Sequence, residues 1–448
     1  MKLSEARRRL PIVDRLPEPD TRQLSKAWSG DAPVPRLAVW EITLACDQQC
    51  IHCGSRAGTA RPDELSTEEC LDLIAQMKAI GVGEVVLLGG EAYLRNDFIL
   101  LVRAIRDAGM TCAMTTGGRT LTAKRAEALV EAGISAVNVS IDGERYAHDT
   151  LRGSEGSWDA AFAAIAALRS AGAKVSVNTQ INRLTRGDLP ALLERIARAG
   201  VFAWQLQLTA PFGNAGDNPD ILLQPYMLPE LFETLEPLVD RAEALGVAVW
   251  PANNLGYFGP LEFRLRRKQK RGGHYKGCGA GRYALGVEAN GDIKGCPSLG
   301  GRANVGGNIR RHSLRQVWEH AQELKYTRNR TRKELWGYCG DCYYADVCRA
   351  GCTATTEPLL GRPGNNPWCH HRALELRARG LRERIELVSR GPGLPFDHGA
   401  YRLIVESTDA VERRAGPHAV VEPRTSRLVD PMGAGRPLAA GAVHRPAI

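Results

Sequence analysis

Between about residues 37 and 250 one phrase keeps returning: a stretch with apolar positions at helical spacing closes on a glycine, and a short β-branched or apolar run follows. The helical stretches end at Ala79-Ile80-Gly81, Ala108-Gly109, Ala132-Gly133, Ala171-Gly172, Ala199-Gly200 and Ala244-Leu245-Gly246. Glycine after a last helical turn takes the left-handed cap without a Cβ clash. The runs at 84–88, 111–116, 136–141, 174–179 and 202–208 are apolar enough to be parallel strands buried on both faces, and 37–44 adds one in front. About six βα units predict an α/β fold, a partial (β/α)6 TIM-like barrel left open because closure needs eight. The first helix announces its start, since Ser66-Thr67-Glu68-Glu69 fits a capping box ahead of Leu71, Ile74 and Met77.

After about residue 265 the helical period fades into Gly, Cys and Arg, the texture of a small domain held by metal instead of a core. The expected organisation is an N-terminal extension at 1–36, the partial barrel at 37–264, a small Cys-rich domain at 265–388, and a loosely ordered Pro/Gly/Arg-rich tail at 389–448.

With 44% hydrophobic and 24% charged residues in 448, the composition is that of a globular protein. No apolar run reaches the roughly 18 to 20 residues of a membrane helix, and the N-terminus lacks a secretory h-region, so a cytoplasmic protein with no membrane partner is expected. The net charge of +9 is scattered, with clusters at Arg7 to Arg9, Arg264 to Arg271 and Arg328 to Lys333 and no interleaved aromatics. Nucleic acid is therefore not expected as a partner; solvated faces or a basic mouth for an acidic substrate explain the charge better.

Twelve cysteines change the picture, because a reducing compartment disfavours disulfides and short fixed spacings then point to metal. Cys46-x3-Cys50-x2-Cys53 directly follows the first strand, at the rim where parallel sheets bind ligands. Three thiolates on an iron-sulfur cube leave one iron open to substrate or cofactor. A structural zinc site with a distant fourth ligand and reactive core thiols are the competing readings. Cys70 and Cys112 lie within a helical and a strand pattern and read as small core residues.

These three cysteines, after a strand that opens a βα repeat, resemble the signature of the radical SAM enzymes. The resemblance implies a [4Fe-4S] cluster, held by Cys46, Cys50 and Cys53, that binds S-adenosyl-L-methionine on its open iron and delivers one electron. Cleavage then gives a 5'-deoxyadenosyl radical that takes a hydrogen atom from substrate. It implies an external electron donor such as flavodoxin or ferredoxin. Leu88-Gly89-Gly90-Glu91-Ala92, at the next strand's end, is similar to the family's Gly-Gly-Glu-Pro segment, so Gly89, Gly90 and Glu91 would meet the methionyl amine; Ala92 departs from the usual Pro. By the same resemblance Ser140 would contact the ribose, Arg152 the methionyl carboxylate, His52 the adenine, and Asn178 is a further polar candidate, with Thr115-Thr116-Gly117 capping the third strand.

Seven later thiols, Cys278, Cys296, then Cys339-x2-Cys342-x5-Cys348-x3-Cys352-x16-Cys369, resemble the SPASM domain with its two auxiliary clusters, expected to be [4Fe-4S]. Carried over, Cys278, Cys296 and Cys352 would hold the inner cluster and Cys339, Cys342, Cys348 and Cys369 the outer. The inner one lacks a fourth protein ligand on this reading. Within this family a peptide maturase is the favoured role: crosslinking, oxidation or epimerisation of a ribosomally made peptide. Radical chemistry on a small molecule, such as a tetrapyrrole or redox-cofactor precursor, is the second reading, and a non-catalytic iron-sulfur electron carrier the third. Asp217, Tyr275 and Arg282 fall near substrate ground but read more readily as structural. No motif marks a catalytic base.

Overall fold

In the computed structural model, which describes residues 33–266 and 273–408, the repeated phrase becomes the parallel part of one ten-stranded sheet. Strands β1 (Leu37–Glu41), β2 (Glu84–Leu88), β3 (Thr111–Thr116), β4 (Ala136–Ser140), β5 (Val175–Ile181), β6 (Ala203–Leu208) and β7 (Ala248–Pro251) pair in chain order, all parallel. The crossovers carry α1 (Thr67–Ala79), α2 (Phe98–Asp107), α3 (Ala123–Glu131), α4 (Arg145–Arg152), α5 (Ser157–Ser170), α6 (Leu189–Arg198) and α7 (Leu228–Ala244). The phrase-ending glycines 81, 109, 133, 172, 200 and 246 all sit at φ between 71 and 94°. At α1 the capping box forms: Ser66 Oγ accepts the Glu69 N–H at 3.2 Å, and Glu69 accepts the Ser66 N–H at 2.8 Å.

Side-chain alternation sorts the strand residues. Trp40, Val85, Leu87, Val137, Val139, Val177, Trp204 and Leu206 belong to the core packed under the helices. Their neighbours Asn138, Ser140, Asn178 and Gln205 therefore face the barrel interior, where Asn138 Nδ2 donates to Gln205 Oε1 at 3.1 Å. The partial barrel has a seventh strand beyond the six expected. β7 is four residues, Ala-Val-Trp-Pro, with only Pro251 buried, too short and too exposed for its apolar run to register.

The Cys-rich region does not stand apart from the barrel. β8 (Ala284–Val287) pairs in parallel with β1, and β9 (Asp292–Lys294) and β10 (Val305–Asn308) continue antiparallel. Pairing covers what would be an open β1 edge of unsatisfied backbone groups. Gly286 lets the chain at Cys296-Pro297 fold close onto β8, for a Cβ there would stand 2.6 Å from Pro297 N.

The expectation of loose order from 389 fails over the described part. β11 (Leu381–Ser389) and β12 (Ala400–Ser407) form an antiparallel hairpin. Cross-strand pairs hold it: Glu406 takes both Arg382, at 2.8 Å, and Arg384, at 3.3 Å. Pro and Gly in the connecting turn masked this pairing in the composition. Residues 1–32 and 409–448, most of the expected extension and tail, lie outside the described residues. Among the described residues no helix is long and apolar enough to cross a membrane.

Candidate active site

The rim of β1 and β2 is built by backbone pairing beyond the strands. Ile42 N–H donates to Leu88 O at 2.8 Å, Gly90 N–H to Thr43 O at 2.9 Å, and Glu91 N–H to Ala45 O at 2.7 Å. Gly90 must be glycine, since a Cβ would stand 2.2 Å from Ala45 O and 2.8 Å from Cys46 Cβ. The Gly89-Gly90-Glu91 segment and the cysteine loop are thus one zipped unit. The loop's far side docks on the end of α4, with Gln49 N–H and Ile51 N–H donating to Arg152 O and Leu151 O at 3.3 and 2.9 Å. The loop closes through Cys46 N–H to Gly58 O at 2.9 Å.

This places Cys46, Cys50 and Cys53 together, Cys50 buried and the others half-buried. Burial pushes the Cys46 thiol up to about 12 and the Cys50 thiol to about 11, and negative charge on a neighbouring thiol adds to each shift. Such a trio deprotonates only against compensating positive charge, which a metal centre supplies. Among the described residues no three His, Cys, Asp or Glu side chains close around a single ion. A cube spreads its thiolates over separate irons and makes no such demand.

Five of the expected cofactor residues meet here in arrangements the spacing did not show. Glu91 is buried, its oxygens accepting Thr116 Oγ1–H and Gly117 N–H at 2.5 Å each, and burial pushes its carboxyl up to about 7 against those hydrogen bonds. Ser140 and Asn178 are partners across β4 and β5, and Asn178 Oδ1 is buried with no hydrogen-bond partner. Arg152, expected at the methionyl carboxylate, also pairs within the chain: Nη2 meets Asp142 Oδ2 at 2.5 Å, while Nη1 lies 4.0 Å from Cys50 Sγ. His52, expected against the adenine, is 4% exposed, with Nδ1 3.1 Å from Leu151 O and Nε2 3.2 Å from Asp142 Oδ2.

Asp142 is therefore the hub that sequence reasoning passed over. It is fully buried, and Arg152 together with His52 holds its carboxyl well below the usual carboxylate range despite the burial. Its only signal was an acid one residue beyond a strand end, next to Gly143. Asp47 was missed as well; its carboxylate accepts Thr120 Oγ1–H at 2.7 Å and Tyr93 O–H at 3.1 Å, tying the loop to the β3 end.

The later thiols separate into two groups. Cys278, Cys296 and Cys352 interact electrostatically with one another, and burial pushes Cys278 up to about 12 and Cys296 to about 11. Cys339, Cys342, Cys348 and Cys369 line a second site, a small cavity walled by Tyr257, Phe258 and Tyr344. There Asn366 N–H donates to Cys339 Sγ at 3.3 Å and Cys369 Sγ–H to Tyr257 O at 3.7 Å. Among the described residues the non-glycine positions with left-handed φ are Arg56, Tyr257, Phe258, Arg349, Ala350 and Phe396. Arg56, Tyr257, Phe258, Arg349 and Ala350 lie beside one of these thiol groups, and Phe396 packs against the first loop, so the backbone strain gathers where the thiols do.

A family model described as the radical SAM superfamily matches residues 40–196, and one described as the SPASM iron-sulfur cluster-binding domain matches 278–343. The mycofactocin maturase MftC of Mycolicibacterium smegmatis is 31% identical over 350 residues, 76% of this chain and 83% of that protein. The chain belongs to the radical SAM superfamily. The AdoMet-dependent heme synthase of Methanosarcina barkeri is 29% identical over 356 residues, 75% of this chain and 97% of that protein. In fold, the radical SAM chain is similar to AdoMet-bound anSMEcpe, with a TM-score of 0.61 at 15% identity over 76% of this chain and 94% of that one.

This radical SAM enzyme thus takes S-adenosylmethionine and iron-sulfur clusters as cofactors, and its side chains fit them. Three clustered thiols stand at the β1 rim. Orphaned buried polar atoms surround them: Gln48 Nε2, Arg152 Nε and Asn178 Oδ1 have no partner in the described structure. Buried polar groups are rarely left so, and a polar cofactor resolves them. When bound, the cluster supplies the electron for reductive cleavage of S-adenosylmethionine.

Proposed function

We propose that Cys46, Cys50 and Cys53 hold the [4Fe-4S] cluster that binds S-adenosylmethionine, with Gly89, Gly90 and Glu91 meeting its amine and Ser140 and Asn178 its ribose. Each Glu91 oxygen keeps a lone pair after its bond to Thr116 or Gly117, so it can still accept the amine. Arg152 and His52 hold the loop through Asp142, and Arg152 keeps an unpartnered Nε for the methionyl carboxylate. Cys278, Cys296 and Cys352 form the inner auxiliary site, and Cys339, Cys342, Cys348 and Cys369 the outer.

The substrate is a peptide. The observation that carries this reading is the neutral, amide-rich interior of the barrel: Asn138 and Gln205 face inward, and Asn138 Oδ1 lacks a partner. Amide oxygens of this kind suit the backbone N–H groups of an extended chain. A tetrapyrrole carrying several carboxylates would call for arginine or lysine there. The similarity to mycofactocin maturases, at up to 31% identity, points the same way. The chemistry would be hydrogen abstraction from a residue of that peptide, leading to a crosslink, an oxidation or an epimerisation.

The test is anaerobic incubation of the reconstituted enzyme with S-adenosylmethionine, a reductant and any short peptide found encoded beside its gene, read by mass spectrometry. Loss of two hydrogens, or an unchanged mass with altered stereochemistry, supports the reading. Turnover of an iron-porphyrin precursor with no change in any peptide refutes it in favour of the heme-synthase-like alternative.

A further inference from the structure

The inner auxiliary site has three thiols, and the structure carries a candidate for its fourth position. Tyr326 reaches it from the segment after β10. That segment is strapped to the strand-side loop: Thr327 Oγ1–H donates to Ala280 O, and Arg328 Nε–H to Gly281 O. The Tyr326 ring packs on Gly295, where an added Cβ would stand 3.0 Å from Cε1. The ring is thereby wedged between the backbone following Cys278 and the backbone preceding Cys296.

Its hydroxyl oxygen is buried and has no hydrogen-bond partner. With the ring against Gly295 and the next two residues bonded to the carbonyls of Ala280 and Gly281, the tyrosine lies among the residues that adjoin Cys278 and Cys296. A second orphan stands beside it. Arg330 is 5% exposed, its guanidinium lies 5.7 Å from the Tyr326 ring centroid, and its Nη2 has no hydrogen-bond partner. A buried cation and a buried hydroxyl, both unsatisfied and both beside the segments that carry Cys278 and Cys296, describe a site that awaits an anionic group.

We propose that Tyr326 is the fourth protein ligand of the inner auxiliary iron-sulfur cluster. Binding forms an iron–oxygen bond and breaks the phenolic O–H bond, the proton leaving to solvent during cluster assembly with no change in oxidation state. Tyrosinate is an established ligand for haem iron, so the donor is chemically competent. The Arg330 guanidinium stabilises the resulting negative charge. The consequence is a cluster closed to substrate, which confines it to electron transfer and leaves the iron at the first site as the open one. Tyr275, whose hydroxyl is also buried and unpartnered, is set apart because its ring stacks edge-on against Tyr257, a residue lining the outer thiol site.

The proposal rests on the assignment of Cys278, Cys296 and Cys352 to one cluster. The test uses the full chain, reconstituted without oxygen, grown on ring-13C tyrosine and saturated with S-adenosylmethionine so that the first cluster's open iron is filled. Pulsed electron paramagnetic resonance of the reduced protein is expected to show 13C hyperfine coupling that vanishes in Tyr326→Phe and persists in Tyr275→Phe. Cyanide is expected to leave the wild-type signal unchanged and to generate a new one in Tyr326→Phe. Absence of tyrosine coupling in the wild type, a measurement that needs no variant to fold, overturns the proposal, as does a cyanide-responsive wild type. Iron content separates the failures: about twelve irons per chain with no coupling refutes Tyr326 alone, whereas about eight refutes the inner thiol group itself.

Discussion

Asp142→Asn isolates the hub of the first site. The carboxylate is fully buried and meets the Arg152 guanidinium, whose side chain is 10% exposed, at 2.5 Å. It also accepts the Gln180 N–H at 2.8 Å and faces His52 Nε2 at 3.2 Å. Asparagine keeps an oxygen for Gln180 but removes the negative charge, leaving a buried guanidinium uncompensated. Breaking one side of a buried pair in this way costs about 3–5 kcal/mol. Because the folded state holds the Asp142 carboxyl below its ordinary range, its contribution is present above the unfolded carboxylate pKa and is lost only as pH falls into strong acid. The deficit of the variant should therefore be constant between pH 5 and 8. Urea unfolding of both proteins across that window measures it. The double variant Asp142→Asn with Arg152→Met should recover most of the loss, because the orphaned charge is gone. A variant within about 1 kcal/mol of wild type, or a double variant no better than the single, would refute the argument that this pair anchors the cysteine loop.

Glu41 makes the opposite pH prediction. Burial pushes its carboxyl from 4.5 up to about 7, with Arg61 opposing, so the folded chain keeps a proton that the unfolded chain releases. Stability should fall by about 3 kcal/mol as pH rises through that window, and Glu41→Gln should abolish the fall in urea titrations at pH 5 and 7.5. Gly90→Ala drives a Cβ into the Ala45 carbonyl, which cannot yield without opening the β1–β2 rim. The reconstituted variant should lose about a third of its iron, the share of one cube in three, while the SPASM clusters persist. Asp397→Ala removes the acceptor of two Arg56 contacts at 2.8 and 2.9 Å and of the Gly393 and Leu394 N–H groups. Limited proteolysis should then cut within 390–399, where the wild type resists.

The parallel strands were legible because burial on both faces leaves unbroken apolar runs, and the helix ends because glycine alone takes the left-handed cap cheaply. Thiol spacing was legible for a similar reason: ligands that share one loop are close in sequence. What escaped notice is non-local. The pairing of β8 with β1 joins segments some 250 residues apart, and no local period marks it. β12 pairs through charges that match only once the register is set. Asp142 and Tyr326 look ordinary in sequence; their meaning comes from being buried opposite particular partners, or opposite none. For Arg152 and His52 the spacing gave the neighbourhood, and the shared partner Asp142 became visible only in the fold.

The continuity of the sheet bears on why the clusters work together. β1 leads into the Cys46 loop, and its parallel partner β8 leads into the hairpin that carries Cys296, so the first and inner thiol groups hang from adjacent strands. A buried seam of charge joins them: Arg61 bridges Glu41 at 3.4 Å and Glu288 at 3.0 Å, and Glu288 meets the fully buried Lys294 at 2.5 Å, two residues before Cys296. The hairpin turn adds a third tie. Phe396 N–H donates to Gly54 O at 2.9 Å while its ring lies 4.7 Å from Lys294 Nζ, so one residue touches both the first loop and the inner site. Strand pairing, salt bridges and the turn each cross the same boundary, and removing any one leaves two. Separation between redox centres is thereby set by the sheet and not by a hinge, which is the arrangement a relay between fixed stations requires.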